Sequence, residues 1–174
     1  MIDFVAKFEK ISKEQFKKDS GASPREMKDE NPNLAVNRTY DNVKLPVRKT
    51  KGSAGYDFSV PCTYVIQPRS YATIRTGIKC KLEDGFVLKL YPRSSLGFKF
   101  GIHLCNTVGI IDSDYYNNPK NEGHILIKIH NPSNKTIELK TGEAFAQGII
   151  ERFYLAEEDD VTTERTGGIG STNK

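Results

Sequence analysis

The sequence has no apolar run near the ~20 residues that a membrane-spanning helix needs. Its first residues, Met1 to Glu9, also lack the basic start and the long apolar stretch of a secretory signal. We therefore expect a cytoplasmic protein that makes no membrane contact. Hydrophobic residues make up 37% and charged residues 28% of the 174 residues, which is ordinary for one globular domain with its own core.

Cysteine and histidine are too few and too widely spaced to indicate a metal site. The three cysteines, Cys62, Cys80 and Cys105, include no Cys-x-x-Cys pair, and the three histidines do not complete a ligand pattern. Free, buried thiols in a reducing compartment are therefore the better interpretation.

A strong charge of one sign is also missing. The net charge is only +4, and basic and acidic residues are interleaved without a long single-sign block. This mild positive charge suits a small anionic ligand as well as a nucleic acid, and does not distinguish between them. The sequence lacks the basic, aromatic-lined strand face of a nucleic-acid binder, so we expect no nucleic-acid partner.

Long helical periodicity and internal repeats are absent, and short strands are indicated instead. From Val43 onward, runs rich in Val, Ile, Thr, Tyr and Phe are cut repeatedly by Gly, Pro, Asn or Asp. This pattern predicts an all-β sandwich, barrel or jelly roll. The predicted strands are Tyr56 to Val60, Tyr64 to Gln67, Tyr71 to Leu82, Phe86 to Tyr91, Thr136 to Leu139 and Ala144 to Leu155.

Both ends of the chain differ from this core. Residues 1–42 are predicted to form a strand, a short helix from Ser12 to Lys18 and a polar excursion attached to the core. Ser12 and Gln15 have the spacing of a capping box that opens the helix. Residues 43–156 are predicted to form the β domain, and residues 157–174 a flexible, glycine-rich C-terminal arm.

The stretch from Gly109 to Tyr116 is the strongest local signal. An apolar run ends in Asp112-Ser113-Asp114, two tyrosines follow, and a loop leads to an alternating segment from Ile125 to His130. This order predicts a hairpin with a carboxylate and a tyrosine at its mouth. Loops held by a rigid scaffold often carry chemistry, so a functional site is expected here.

Other polar clusters provide the groups that bind an anion. Arg93 and Arg165 supply cations, Ser94 and Ser95 supply donors, and a glycine-rich tail follows Arg165. Each feature also has a plainer interpretation as a strand-ending turn or a flexible terminus. Asp112 could be a turn former and Gln147 a buried amide. The residues alone therefore indicate an all-β domain with an anion site.

Five clusters, taken in order, resemble the motifs of the trimeric dUTP diphosphatases. The resemblance runs from about Val43 to Thr172, and its third motif is the most specific. The five are Ala54-Gly-Tyr-Asp57, Pro92-Arg-Ser-Ser-Leu-Gly97, Asn106-Thr-Val-Gly-Ile-Ile-Asp-Ser-Asp-Tyr115, Gly142-Glu-Ala-Phe-Ala-Gln147 and Arg165-Thr-Gly-Gly-Ile-Gly-Ser-Thr172.

This resemblance implies a distorted jelly roll, or β-clip, that assembles as a homotrimer with active sites shared between subunits. It implies Mg²⁺-dependent hydrolysis of dUTP to dUMP and diphosphate. Such an activity limits uracil in DNA and supplies dUMP for dTMP synthesis.

The resemblance also assigns residue roles. Asp112 matches the general base that activates water at the α-phosphorus. Asp57 matches a carboxylate that acts through water near Mg²⁺, and Gln147 a polar contact in the catalytic site. The phosphate contacts are Arg93, Ser94, Ser95, Gln147, Arg165, Gly170 and Ser171. The base and sugar contacts are Asn106, Gly109, Ile110, Ile111, Asp112, Tyr115, Leu126 and Ile169.

Two departures from the family pattern and two alternatives accompany this assignment. Ile169 stands where an aromatic usually stacks on uracil, and Asn117 to Glu122 extend the loop after Tyr116. The related dCTP deaminases share the fold and an Arg-Ser-Ser-Leu element. A binding protein that keeps the fold and acts through protein partners is the second alternative.

Overall fold

The computed structural model describes residues 4–20, 38–163, 165 and 167. Strands dominate these residues, and helices are short. The strands are β1 (Ala6–Lys10), β2 (Tyr56–Ser59), β3 (Tyr64–Ile66), β4 (Ser70–Arg75), β5 (Ile78–Leu82), β6 (Phe86–Pro92), β7 (His103–Leu104), β8 (Gly109–Ile111), β9 (Leu126–Asn131), β10 (Ile137–Leu139) and β11 (Ala144–Arg152). The helices are α1 (Lys13–Ser20), α2 (Ser94–Phe100), a helical turn at 38–41 and a 3-10 turn at Ser113–Tyr115.

This architecture confirms the predicted all-β, jelly-roll class with a short N-terminal helix. Strand β1 begins at Ala6, and α1 continues two residues past the predicted end at Lys18. Helix α2 was not predicted, because Ser94 to Phe100 carries glycine and aromatic residues that favour helix only weakly. No helix among the described residues is both long and apolar enough to span a membrane.

The strands form two main antiparallel sheets and two small pairs. One main sheet has the order β2-β11-β6-β8, and the other has the order β4-β9-β7. The pairs are β1 with β5 and β3 with β10. Buried side chains from both main sheets, including Phe58, Leu88, Ile127 and Phe145, belong to one hydrophobic cluster. The cluster therefore joins the sheets into a single core.

The N-terminal segment belongs to this core. Strand β1 pairs with β5 along its whole length, from Ala6 opposite Leu82 to Lys10 opposite Ile78. Ile11 and Phe16 are each only 1% exposed and join the same hydrophobic cluster. Most of the predicted polar excursion, residues 21–37, lies outside the described residues.

The predicted hairpin is wrong as a pairing. Strand β8 pairs with β6, whereas β9 pairs with β4 and β7. The alternation from Ile125 to His130 was interpreted correctly, since Ile125, Ile127 and Ile129 are buried. The pattern of a single strand does not show which other strand it pairs with. Here the loop between β8 and β9 crosses from one sheet to the other.

All three cysteines are free, as expected, but they are not all buried. Cys80 is buried, Cys62 is half-buried and Cys105 is exposed. Cys105 follows β7 directly, and its outward direction follows from strand alternation after the buried Leu104.

Candidate active site

Strand pairing brings Asp57, Arg93 and Gln147 together at one end of the four-stranded sheet. Gln147 on β11 lies opposite Asp57 on β2 and opposite Tyr91 on β6. Arg93 directly follows β6, and its Nε lies 3.5 Å from Asp57 Oδ1. The Gln147 amide donates to the Pro92 carbonyl at 3.4 Å. Three motifs that are distant in sequence therefore meet in one cluster.

Gly55 is needed for this cluster because of a close approach. A Cβ at residue 55 would lie 2.4 Å from Gln147 Oε1 and 3.3 Å from Gln147 Cβ. A carbon and an oxygen that are not bonded cannot lie 2.4 Å apart, so any side chain at residue 55 would displace the Gln147 amide. This explains physically why glycine precedes Tyr56 and Asp57 in the sequence.

Next to this cluster, the start of α2 presents donors to a shallow cleft. Ser94 and Ser95 are exposed, and Arg93 immediately before them is extended. The first turn of a helix leaves backbone N–H groups without helical acceptors. The cleft has a volume of about 320 Å³ and is lined by Pro92, Arg93, Ser94, Gly97 and Phe98. One cation and free N–H groups make it suitable for a phosphate.

A second, more enclosed cleft lies between the two main sheets. Its volume is about 390 Å³, and Asn106, Gly109 and Leu126 line it together. The sequence had linked these three residues to the base. Its other lining residues are Thr73, Leu90, Leu104, Cys105, Ile127 and Lys128, which sequence reasoning missed. The alternation of β9 could have indicated Lys128, since it lies on the same face as Leu126.

The backbone beside this cleft is tightly turned. Thr107 has a φ of +65°, and the Val108 N–H donates to the Asn106 carbonyl at 2.6 Å. A β-branched residue with positive φ is strained, and strain of this kind is concentrated at functional sites. The turn directs Asn106 into the cleft and starts β8. That strand is the last in its sheet among the described residues, so its outer edge carries backbone N–H and C=O groups.

Asp112, Tyr115 and Arg165 meet beyond the other end of β8. Arg165 donates through its terminal nitrogen to Asp112 Oδ2 at 2.6 Å and through Nε to Asp114 Oδ1 at 2.8 Å. Its guanidinium carbon lies 6.0 Å from the centre of the Tyr115 ring. The predicted general base and the predicted tail arginine are therefore adjacent.

Tyr115 is buried and is held through its hydroxyl. The residue is only 7% exposed, and its hydroxyl donates to the His124 carbonyl at 3.0 Å. The Asn121 amide donates to the same hydroxyl at 2.7 Å. Burial raises the pKa of Tyr115, so the hydroxyl stays protonated as a donor.

Within one chain, the Asp57–Arg93–Gln147 cluster and the Asp112–Arg165 pair are far apart. Ile111 lies opposite Leu88, which precedes Arg93 by five residues. Five residues of strand span roughly 17 Å. In the described part of the chain, no hydrogen bond or ion pair connects the Asp57–Arg93–Gln147 cluster to the Asp112–Arg165 pair.

Asp57 is the best candidate for an outer contact to a metal ion. Its Oδ2 atom is buried and has no hydrogen-bond partner. The described residues contain no group of three or more His, Cys, Asp or Glu side chains that could hold a metal ion. A magnesium ion needs no such group when substrate phosphates and water supply most of its ligands. Ile169, Gly170 and Ser171 lie outside the described residues.

Comparisons with known proteins identify the family to which this chain is similar. The dUTPase family model matches residues 41–173. The deoxyuridine 5'-triphosphate nucleotidohydrolase of Lactococcus lactis subsp. lactis is 42% identical over 132 residues, covering 75% of this chain and 88% of that protein. The crystal structure of the Streptococcus mutans dUTPase has a TM-score of 0.62 at 42% identity, and covers 67% of this chain and 91% of that one.

A third relative is similar in fold. It is a variant of the dUTPase from phage phi11 of S. aureus, with a TM-score of 0.59 at 23% identity, covering 71% of this chain and 92% of that one. The phage protein coordinates a structural Mg(II) ion.

Replacing Gly55 tests the close approach to Gln147. We expect Gly55→Ala to keep the free energy of unfolding within about 1 kcal/mol of wild type, because Oε1 ends a flexible side chain. Gly148→Ala is the comparison variant, since its Cβ would lie 2.7 Å from Leu88 Cδ1 and 3.0 Å from Phe58 Cε2. It should cost about 1–3 kcal/mol.

Urea unfolding measures the free energy of unfolding of both variants. A crystal structure of Gly55→Ala shows whether the Gln147 side-chain amide has moved. The expected structure has Gln147 moved away from the Pro92 carbonyl. If Gln147 does not move, or if Gly55→Ala loses as much stability as Gly148→Ala, Gly55 is not required for the position of the Gln147 amide.

Proposed function

This chain belongs to the dUTPase family, and from that membership we infer that it hydrolyses dUTP to dUMP and diphosphate. In the proposed reaction, a water oxygen attacks the α-phosphorus. The bond from the α-phosphorus to the bridging oxygen breaks, and diphosphate leaves with that oxygen. The observation that carries the proposal is the cleft that joins Asn106, Gly109 and Leu126 beside the strand that leads to Asp112.

The edge strand β8 provides the base recognition. Its backbone alternates donors and acceptors, and uracil presents one N–H between two carbonyl oxygens. The backbone of Gly109, Ile110 and Ile111 and the side chain of Asn106 can pair with that edge as a partner base would. Cytosine has an amino donor in place of one carbonyl and an acceptor in place of the N–H, so it mismatches two of these three groups. An enclosed cleft disfavours the 5-methyl group of thymine.

Tyr115 provides the sugar selection. Its ring packs against the deoxyribose and leaves no space for a 2′-hydroxyl. A ring that is buried and bonded at its hydroxyl cannot move aside easily, and this rigidity supports the role. Ile169 covers the base from the tail by apolar contact, without the stacking of about 1 kcal/mol or more that an aromatic would add.

Asp112 removes the proton from the attacking water. Its carboxylate is about half exposed and accepts from Arg165 at one oxygen, which leaves the other oxygen for a water molecule. Arg165 then lies beside the phosphate on which charge develops. Arg93, Ser94 and Ser95 hold the remaining phosphates, with Gln147 beside them and Gly170 and Ser171 from the tail.

Mg²⁺ fits this site as an ion held by the substrate. It would neutralise charge on the phosphates and on the leaving diphosphate. The unpartnered Oδ2 of Asp57 would accept from a water molecule in the ion's coordination shell. Arg93 beside Asp57 keeps that carboxylate directed toward the phosphates.

The separation within one chain supports a shared site in a homotrimer. In the proposed reaction, Asp112 acts at the α-phosphate and Arg93 contacts the phosphates that follow it. Neighbouring phosphates are linked through a single oxygen, so both side chains must lie within a few ångströms of the same short triphosphate. A span of roughly 17 Å along β6 prevents this inside one chain. A second copy that presents its Arg93 cluster to the Asp112 of the first completes the site.

A panel of nucleotides tests the activity. With Mg²⁺, we expect dUTP to yield dUMP and diphosphate, and UTP, dTTP and dCTP to react at least about a hundredfold more slowly in kcat/KM. Steady-state detection of diphosphate and nucleotide chromatography measure the products. Release of ammonia from dCTP without diphosphate would instead show a deaminase. Absence of any turnover would favour a fold-retaining binding protein.

Asp112→Asn tests the general base. The amide keeps the shape but cannot accept the proton, so kcat should fall by about a hundredfold to ten-thousandfold while KM or Kd for dUTP changes little. Asp84→Asn is the control, because Asp84 is exposed in the turn between β5 and β6 and makes the same chemical change. An unchanged kcat in Asp112→Asn would remove Asp112 from this role.

A further inference from the structure

The N-terminal helix is bound at both ends to the loop that follows Tyr116. At its start, the Ser12 N–H and hydroxyl donate to the Glu122 carboxylate at 2.8 and 2.6 Å. At its end, Asp19 Oδ2 lies 2.6 Å from His124 Nδ1. Both loop residues lie more than 100 positions away in sequence. The loop and the helix therefore form one structural unit.

The predicted capping box is only half correct, and the difference explains this unit. The Gln15 N–H donates to the Ser12 hydroxyl at 3.0 Å, as the box requires. The Ser12 N–H, however, bonds to Glu122 instead of to Gln15, whose amide donates to Asp19 at 2.8 Å. Glu122 in the loop extension thus supplies the acceptor for the Ser12 N–H that a local box would take from the Gln15 side chain.

His124 is the central residue of the unit. It is fully buried, and its Nε2 accepts from the Gly77 N–H at 2.9 Å. An accepting Nε2 carries no proton, so Nδ1 carries it and donates to Asp19. Burial lowers the pKa of His124, with Asp19 opposing, which agrees with a neutral ring.

The backbone of His124 connects this unit to the site. Its carbonyl accepts the Tyr115 hydroxyl at 3.0 Å, and Asn121 from the same loop donates to that hydroxyl. Gly123 has a φ of +76°, and a Cβ there would lie 2.4 Å from the Tyr115 carbonyl oxygen. The loop therefore folds back tightly on Tyr115 and fixes both its backbone and its hydroxyl.

We propose that Asp19 and His124 are positioning residues for Tyr115, so that α1 sets how strictly the enzyme distinguishes deoxyribose from ribose. Asp19 holds the imidazole, the imidazole holds the backbone of residue 124, and that carbonyl holds the tyrosine. The proposal rests on the sugar role given to Tyr115 above. Neither Asp19 nor His124 belongs to the motifs that suggested the activity.

Alanine substitutions on one helix test this proposal. Asp19→Ala should lower the ratio of kcat/KM for dUTP to that for UTP by about threefold to tenfold, the effect of one displaced hydrogen bond. Glu14→Ala is the control, since Glu14 lies exposed on the same helix and loses the same charge. It should leave the ratio unchanged. Partial unfolding alone cannot change the ratio, because both substrates meet the same folded fraction.

Conservative variants separate positioning from simple destabilisation. Asp19→Asn keeps an oxygen that can accept from His124 Nδ1, so it should restore most of the ratio lost in Asp19→Ala. His124→Gln can place its amide oxygen near the position of Nε2, which keeps an acceptor for the Gly77 N–H, but it has no donor at the position of Nδ1. Its ratio should therefore match that of Asp19→Ala.

Wild type and Tyr115→Ala are measured in the same series. If wild type fails to hydrolyse dUTP, or Tyr115→Ala keeps the full ratio, the proposed function or the sugar role fails and this proposal fails with it. If both behave as expected but Asp19→Ala matches Glu14→Ala, only the positioning role is overturned.

Discussion

The antiparallel register of β6 with β8 is the constraint on which the site depends. It places Ile111 opposite Leu88 and Gly109 opposite Leu90, so the chain reaches Asp112 and Arg93 at opposite ends of the pair. Backbone hydrogen bonds and the buried Leu88 and Leu90 fix this register, because a slip of one residue would turn both side chains out of the core. The same pairing leaves the outer edge of β8, which we propose binds the base, without a neighbouring strand among the described residues. One pairing therefore exposes that edge and also separates Asp112 from Arg93 within a single chain.

Buried polar contacts provide the second level of organisation. A chain of hydrogen bonds runs from the residue before β5 through the loop to α1. It links Gly77 to His124, His124 to Asp19, Asp19 to Gln15 and Gln15 to Ser12. Such networks are costly when incomplete, so each member restrains the others. Residues 117–122 make specific contacts, since Glu122 caps the helix and the Asn121 amide donates to the Tyr115 hydroxyl. The extended loop after Tyr116 therefore connects the N-terminal segment to Tyr115.

Sequence reasoning predicted the strands better than the connections between them. Short alternating runs indicated β2, β3, β6 and β10 within a residue or two, since strand periodicity is local. Asn106, Gly109 and Leu126 were linked to one cleft by family resemblance, and the structure brings them together. The pairing of β8 with β6, the capping by Glu122 and the burial of His124 could not be predicted. Each depends on contacts between residues far apart in sequence, which no local pattern encodes.

The most direct measurement of the shared site is complementation between two inactive variants. Arg93→Ala lacks the phosphate cation and Asp112→Asn lacks the base, so each alone should be inactive toward dUTP. When the two variants are co-expressed in equal amounts and assemble at random, about a quarter of the sites combine an intact Asp112 with an intact Arg93. We expect activity to return to about that fraction of wild type. Activity that stays at the level of the separate variants would contradict a site built from two chains.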